Sequence, residues 1–79
     1  MTQPLHAQLR AARIRTGMTQ IGAMKALGLT GIETVSRWER NETVPTGAHL
    51  RQLAVLYNCR FRWIEDGAVT TIQPKNYGG

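Results

Sequence analysis

The chain has 79 residues and a mass of 8.8 kDa, the size of one small domain with a single modest core. Ten lysines and arginines against five acidic residues give a net charge of +5, so we expect a polyanionic partner, nucleic acid ahead of membrane. The single cysteine excludes an internal disulfide, and with two histidines it leaves too few ligands for a zinc site. No apolar run reaches the roughly 18 residues that span a bilayer, and no secretion signal opens the chain, so we expect a cytoplasmic setting.

A first helix is predicted from the spacing of Leu5, Leu9 and Ala12, which recur at helical intervals on one face. Pro4 suits its first turn, and Gly17 is placed to end it.

A second helix is predicted from Gln20 to about Leu27, with Thr19 as its N-cap and Gly28 just past its end. Ala23 and Met24 form its inward face together with Leu27.

The third predicted helix begins with a capping box, in which Thr30 caps the helix and Glu33 reaches back to it. The helix continues to about Arg40 with Val35 and Trp38 as its inward residues. The outward face then carries Arg37, Ile32 and either Glu33 or Thr34.

The second half predicts a fourth helix capped by Thr46 and ended by Asn58, with core positions at Leu50, Leu53, Ala54 and Tyr57. A short fifth helix is predicted from about Arg60 to Asp66, burying Trp63 and Ile64 and ending at Gly67.

The predicted fold is therefore all-α, a compact five-helix domain over residues 1–67 followed by a C-terminal tail, 68–79. Val69 to Ile72 alternate and are β-branched, so this segment is either a frayed tail, which we favour, or an edge strand that pairs with a second subunit.

Two short helices joined by a glycine-containing turn on a basic background are the helix-turn-helix pattern. The ordered series of matching segments resembles the Cro and lambdoid phage repressor type of helix-turn-helix protein, the XRE-like family. These segments are Gly17-Met18-Thr19-Gln20, Leu27-Gly28-Leu29, Val35-Ser36-Arg37-Trp38-Glu39-Arg40, Pro45, Leu53-Ala54 and Trp63-Ile64-Glu65-Asp66-Gly67. One departure is an extra residue between Thr19 and Glu39, placed most economically at 29–31, which leaves the register of 29–34 open.

The resemblance implies a five-helix lambda-repressor-like fold in which the third helix enters the major groove of double-stranded DNA. Arg37 matches a position that often touches bases, and its guanidinium fits the O6 and N7 atoms of guanine, with a phosphate contact as the alternative. The other candidate base-contacting residues are Ile32, Glu33, Thr34 and Ser36. Ile32 either rests on a thymine methyl group or lies beneath the turn, and Glu33 either accepts from cytosine or serves the capping box, which we favour.

Phosphate contacts are expected from the second helix and from the end of the third helix. Gln20 matches the family's phosphate-binding position at the start of the second helix, with Thr19 beside it, and Arg40 and Asn41 are expected to clamp the backbone. The alternative for Gln20 is a solvated residue of the first turn.

Two further pairings follow from the resemblance. Arg13 and Glu39 match a salt bridge between the first and third helices. The dimer contact is expected at Cys59, Arg60, Phe61 and Arg62, with core packing as the alternative for Phe61.

We therefore expect a Cro-like phage or prophage repressor that binds a palindromic operator as a homodimer. An antitoxin that represses its own operon is the alternative, and a protein-binding module without DNA is less favoured by the charge. No catalytic constellation is present, so no enzyme, cofactor or small-molecule ligand is expected.

Overall fold

The structure, a computed structural model, describes residues 3–74, which form four helices followed by a two-stranded antiparallel sheet. The elements are α1 (Leu5–Arg15), α2 (Gln20–Ala26), α3 (Thr34–Glu39), α4 (Gly47–Tyr57), β1 (Phe61–Glu65) and β2 (Ala68–Ile72). The prediction of a five-helix, all-α fold is wrong, because the segment predicted as a fifth helix is the first strand of a hairpin.

The same termination motif closes all four helices. At the end of α1, the N–H of Gly17 donates to the carbonyl of Ile14 at 3.0 Å, and the N–H of Met18 donates to the carbonyl of Arg13 at 3.2 Å. A residue with positive φ follows each helix, namely Gly17, Gly28, Asn41 and Asn58. This Schellman arrangement satisfies the last carbonyl groups of each helix and turns the chain sharply. The sequence predicts three of these four residues.

The hairpin replaces the predicted fifth helix because Asp66 and Gly67 form a two-residue turn. Both have positive φ, 51° and 78°, which is the backbone of a type I′ turn, and Asp-Gly is a preferred pair for it. The flanking residues Glu65 and Ala68 are partners in the strand register. The sequence Asp66-Gly67 was therefore a hairpin signal rather than a helix end.

Strand alternation also reverses one core assignment. Phe61 is buried at 1% exposure and Trp63 is half-buried, whereas Ile64 is 59% exposed. Successive side chains of a strand point to opposite faces, so Ile64 cannot join Trp63 in the core as a helix would allow. The prediction that Ile64 is buried is wrong for this reason.

The segment predicted as either an edge strand or a frayed tail is ordered as β2 from Ala68 to Ile72. It pairs with β1 of its own chain, from Phe61↔Ile72 to Glu65↔Ala68. The remainder of that predicted tail, 75–79, lies outside the described residues.

The outer edge of β1 is covered by a side chain from α1. The Gln8 amide oxygen accepts from the backbone N–H of Arg62 at 3.0 Å, and the Gln8 amide nitrogen donates to the carbonyl of Arg62. Gln8 thus makes the two hydrogen bonds that a neighbouring strand would make. This contact ties the hairpin to the first helix.

One core joins the helices to the sheet. Its buried apolar residues are Leu9, Ala12, Ala23, Met24, Val35, Trp38, Leu50, Leu53, Ala54, Tyr57, Cys59 and Phe61. Trp38 also packs against His49, with ring centroids 5.4 Å apart. Because α3 contributes Val35 and Trp38 to this core, its opposite face is fixed toward solvent.

Candidate nucleic-acid interface

The third helix begins later than the sequence predicts. α3 starts at Thr34, and its N-cap residue is Glu33, whose side chain makes no capping hydrogen bond. The predicted Thr30–Glu33 capping box is therefore wrong. Residues 31–33 form a tight turn instead, in which a Cβ at Gly31 would lie only 2.8 Å from the Thr34 hydroxyl oxygen. A side chain added at Gly31 would therefore require the Thr34 side chain to move.

The predicted base-contacting residues lie together on the outward side of this turn and helix. Ile32 is 67% exposed, so of its two predicted settings the structure places it at the surface. Arg37 and Glu33 are exposed, and Thr34 and Ser36 are half-buried between them. Gly31, Ile32, Glu33, Thr34 and Arg37 line one shallow cleft. Their contacts with DNA stay a prediction.

Arg37 is held by Glu33 one helical turn earlier. The Arg37 Nη2 atom donates to Glu33 Oε2 at 3.1 Å. The two side chains are 52% and 63% exposed, so solvent screens their attraction and the pair adds little to folding. The i, i+4 spacing of opposite charges was visible in the sequence, where the capping box was given priority.

A second ion pair lies at the other end of α3. Arg40 Nε donates to Glu42 Oε2, and Arg40 Nη1 donates to the Ser36 hydroxyl at 2.8 Å. The Arg40 hydrogen bond lowers the pKa of the Glu42 carboxyl, and the same bond raises the pKa of Arg40. The sequence analysis missed Glu42, which approaches Arg40 only because the chain reverses at the left-handed residue Asn41.

The buried carboxylate of Glu39 on α3 is hydrogen-bonded to both α1 and α2. Glu39 accepts from Arg13 through two bonds, Nε at 2.7 Å and Nη2 at 2.9 Å, and also from the Gln20 amide nitrogen at 3.1 Å. Arg13 additionally donates to the carbonyl of Met18 at 2.9 Å. The hydrogen bond that Arg13 donates to Glu39 raises the pKa of Arg13. α1, α2 and α3 are thus locked in one relative orientation.

Gln20 has a second role that the sequence did not reveal. Its side chain is half-buried and one amide hydrogen is used on Glu39, so it is not simply a solvated first-turn residue. Thr19 caps α2, its hydroxyl oxygen accepting from the Gly22 N–H at 2.9 Å. The phosphate contacts predicted for Gln20, Thr19, Arg40 and Asn41 stay predictions.

The four residues predicted at a dimer contact divide into two kinds. Cys59 and Phe61 are buried in the core of the chain itself, whereas Arg60 and Arg62 are exposed. Of the two interpretations of Phe61, the structure therefore has the core-packing one. Burial also raises the pKa of the Cys59 thiol.

Within residues 3–74, no group of three or more histidine, cysteine, aspartate or glutamate residues is placed to hold a metal ion. No helix in the same range is long and apolar enough to cross a membrane.

Comparison with known proteins places this geometry in a family. The family model described as helix-turn-helix matches residues 9–64. The P22 c2 repressor protein, crystallised in complex with a synthetic operator, is similar in structure with a TM-score of 0.66 and 33% sequence identity. That likeness covers 73% of this chain and 86% of the repressor chain.

A second relative is the type II methyltransferase M.SsoII of Shigella sonnei, 47% identical over 53 residues. This match covers 65% of the present chain but 14% of the methyltransferase, so the chain spans a small part of that relative's length. Both likenesses, and the family match that runs from α1 into β1, concern the helix-turn-helix fold. The chain belongs to the helix-turn-helix family of DNA-binding domains, of the lambdoid-repressor (XRE-like) type.

Proposed function

We propose that the protein is a sequence-specific DNA-binding transcriptional regulator, a Cro-like repressor that places α3 in the major groove of its operator. The observation that carries this proposal is the outward face of α3, where exposed Arg37 projects from a helix whose other face is fixed in the core, with exposed Ile32 in the turn just before it. The repressor of similar structure was crystallised with an operator, which supports the same use of the fold here.

The roles of the side chains follow from their positions. Arg37 is proposed to bind a guanine through O6 and N7, and exposed Ile32 to contact a thymine methyl group. Thr34 and Ser36 lie between them and complete the reading face. Gln20, Thr19, Arg40 and Asn41 are proposed to bind backbone phosphates, which fixes the helix in the groove.

We further propose that two copies bind a palindromic operator, since one short helix contacts few base pairs. The hairpin favours β2 as the joining edge. Because Gln8 takes the N–H and C=O groups of Arg62, the alternate residues Val69 and Thr71 direct theirs to the opposite edge of the sheet. Among residues 3–74 no hydrogen bond is made to that edge, and the paired Ile64 and Val69 side chains beside it are exposed.

The methyltransferase relative supports a second candidate function. In this alternative the sequence is the helix-turn-helix part of a longer methyltransferase and directs it to particular sites. For the repressor proposal itself, we propose that the protein binds DNA rather than catalysing a reaction. We also propose that it acts in the cytoplasm.

The test is selection of bound duplexes from a random-sequence library at two salt concentrations, followed by sequencing. The repressor proposal predicts enrichment of a palindrome with guanine at symmetric positions and an affinity that falls steeply with salt. An enriched site without two-fold symmetry would argue against the dimer. No enrichment and no salt dependence would overturn DNA binding, and co-purification of a second protein would favour the antitoxin alternative.

A further inference from the structure

We infer that Glu33 is a positioning residue that determines base specificity, because it holds the Arg37 guanidinium in the orientation for a guanine edge and away from the phosphates. This inference rests on the proposed DNA-binding function and assigns to Glu33 a role other than touching DNA.

The geometry of the pair leaves Arg37 competent to bind a base. The bond from Nη2 to Glu33 Oε2 occupies one of the five N–H donors of the guanidinium. Recognition of guanine O6 and N7 needs two donors from one side of the fork, so the pair and the base contact are compatible. A guanidinium already held on one side loses less conformational freedom when it binds.

Glu33 has no competing structural task. Its carboxylate makes no helix-capping bond, and α3 starts one residue later, at Thr34. Its hydrogen-bond partner in the structure is Arg37, and both side chains are more than half exposed on the side where the groove would lie. The pair is therefore available at the interface rather than consumed by the fold.

The charges of the reading helix support the same role. Arg37 and Arg40 are each paired with a glutamate, so α3 and the residues that flank it present two positive and two negative exposed side chains. Such a face gains little from the phosphate backbone as a whole, and each carboxylate is repelled by it. Glu33 thus weakens binding to any duplex and leaves Arg37 to gain from a correctly placed guanine.

The chain offers a matched control, since Arg40 is paired with Glu42 at the far end of α3 and is a predicted phosphate contact. Both Glu33→Gln and Glu42→Gln remove one negative charge from the interface. Both should steepen the slope of log affinity against log salt concentration by about 0.9. Between 1 M and 0.1 M salt, the affinity of each variant for unrelated DNA should therefore rise about eightfold more than that of the wild-type protein. Only Glu33→Gln should change the choice of base.

The experiment uses the full chain and three duplexes, namely the selected site, the same site with adenine in place of its symmetric guanines, and an unrelated sequence. The wild-type protein should prefer guanine, and Glu33→Gln should lose about fivefold or more of that preference while binding the unrelated duplex more tightly. Glu42→Gln should keep the wild-type ratio between guanine and adenine. Thermal melting of each variant shows that the fold is intact.

Two other results with the variants would overturn the inference. If Glu33→Gln and Glu42→Gln keep the same base ratio, Glu33 acts as a charge only. If Glu33→Gln weakens binding to all three duplexes, Glu33 itself contacts DNA or supports the fold. If the wild-type protein binds with guanine preference, the proposed function stands whatever the variants do, and if it binds no duplex, both proposals fail together.

Discussion

Arg13 and Glu39 form a bidentate ion pair between α1 and α3, with Nε 2.7 Å from Oε2 and Nη2 2.9 Å from Oε1. Their side chains are 13% and 3% exposed, so the carboxylate has almost no access to water. A buried carboxylate that loses its partner must stay desolvated or take up a proton, and either outcome costs stability. The pair therefore matters more for what its absence would do than for net stabilisation.

Arg13→Ala should lower the free energy of unfolding by about 3 kcal/mol and weaken DNA binding at the same time. The second effect follows because Glu39 also holds Gln20 and lies on α3, the helix proposed to enter the major groove. Urea unfolding and operator affinity measure the two effects. Arg10→Ala, at an exposed position of the same helix, is the control and should change stability by less than about 0.5 kcal/mol. A variant at Arg13 that keeps both its melting temperature and its affinity would show that the pair has no such role.

Stability should fall at alkaline pH because of Tyr57. Burial, with Glu39 as a further cause, raises the pKa of Tyr57 to about 12. In the unfolded chain the phenol ionises near pH 10, so between about pH 10 and 12 the unfolded state loses a proton that the folded state keeps. The protonated Tyr57 phenol therefore contributes about 2 to 3 kcal/mol to the free energy of unfolding below pH 10, and this contribution is lost by about pH 12.

Urea unfolding at pH 9 and pH 11 tests this expectation with Tyr57→Phe as the comparison. The phenylalanine variant should lose less stability over that interval. Burial also raises the pKa of the Cys59 thiol, so Cys59 adds to the loss of stability at alkaline pH, beginning at a lower pH than Tyr57. A Cys59→Ala background removes this second contribution. Parallel losses in wild type and in the Tyr57 variant would contradict the assignment.

The hairpin turn should tolerate one substitution and resist another. Gly67→Ala places a side chain at a φ of 78° and should cost about 1 kcal/mol. Asp66→Asn keeps a residue pair that type I′ turns accept and should be nearly neutral. Melting temperatures of the two variants provide the measurement, and equal values would mean that the turn is not of this type.

Phe61 and Ile64 should differ sharply although they are three residues apart. Phe61→Ala empties a site that is 1% exposed and should cost about 4 kcal/mol, a large fraction of the stability of a small domain. Ile64→Ala, at a position 59% exposed, should change monomer stability by less than about 0.5 kcal/mol. Circular dichroism against temperature distinguishes them. A Phe61 variant that stays folded and only loses self-association would restore the dimer-anchor interpretation.

The helices that the sequence predicts well are those with both a wide apolar stripe and explicit end signals. α1 ends just before Gly17 and α4 just before Asn58 because these residues adopt the left-handed backbone, which a local pattern reveals. The family resemblance supplied the ion pair of Arg13 with Glu39, since two residues 26 positions apart show no local signal for their contact.

Two errors have a common origin in local patterns that fit more than one structure. Thr30 to Glu33 has the spacing of a capping box, but α3 starts only at Thr34 and the Glu33 carboxylate accepts from Arg37 instead. The segment from Phe61 to Glu65 has apolar residues close enough for either a helix or a strand. The Asp66-Gly67 turn and the pairing with β2 decide for the strand.

The contact between Gln8 and Arg62 also limits how many copies can join. A two-stranded sheet with both sides available could add neighbours in each direction and grow into a filament. Here Gln8 of α1 covers the β1 edge, so each chain has only its β2 edge left for pairing. Two chains that pair through their β2 edges therefore leave no edge for a third chain. One amide side chain thereby makes an assembly through this sheet stop at a pair.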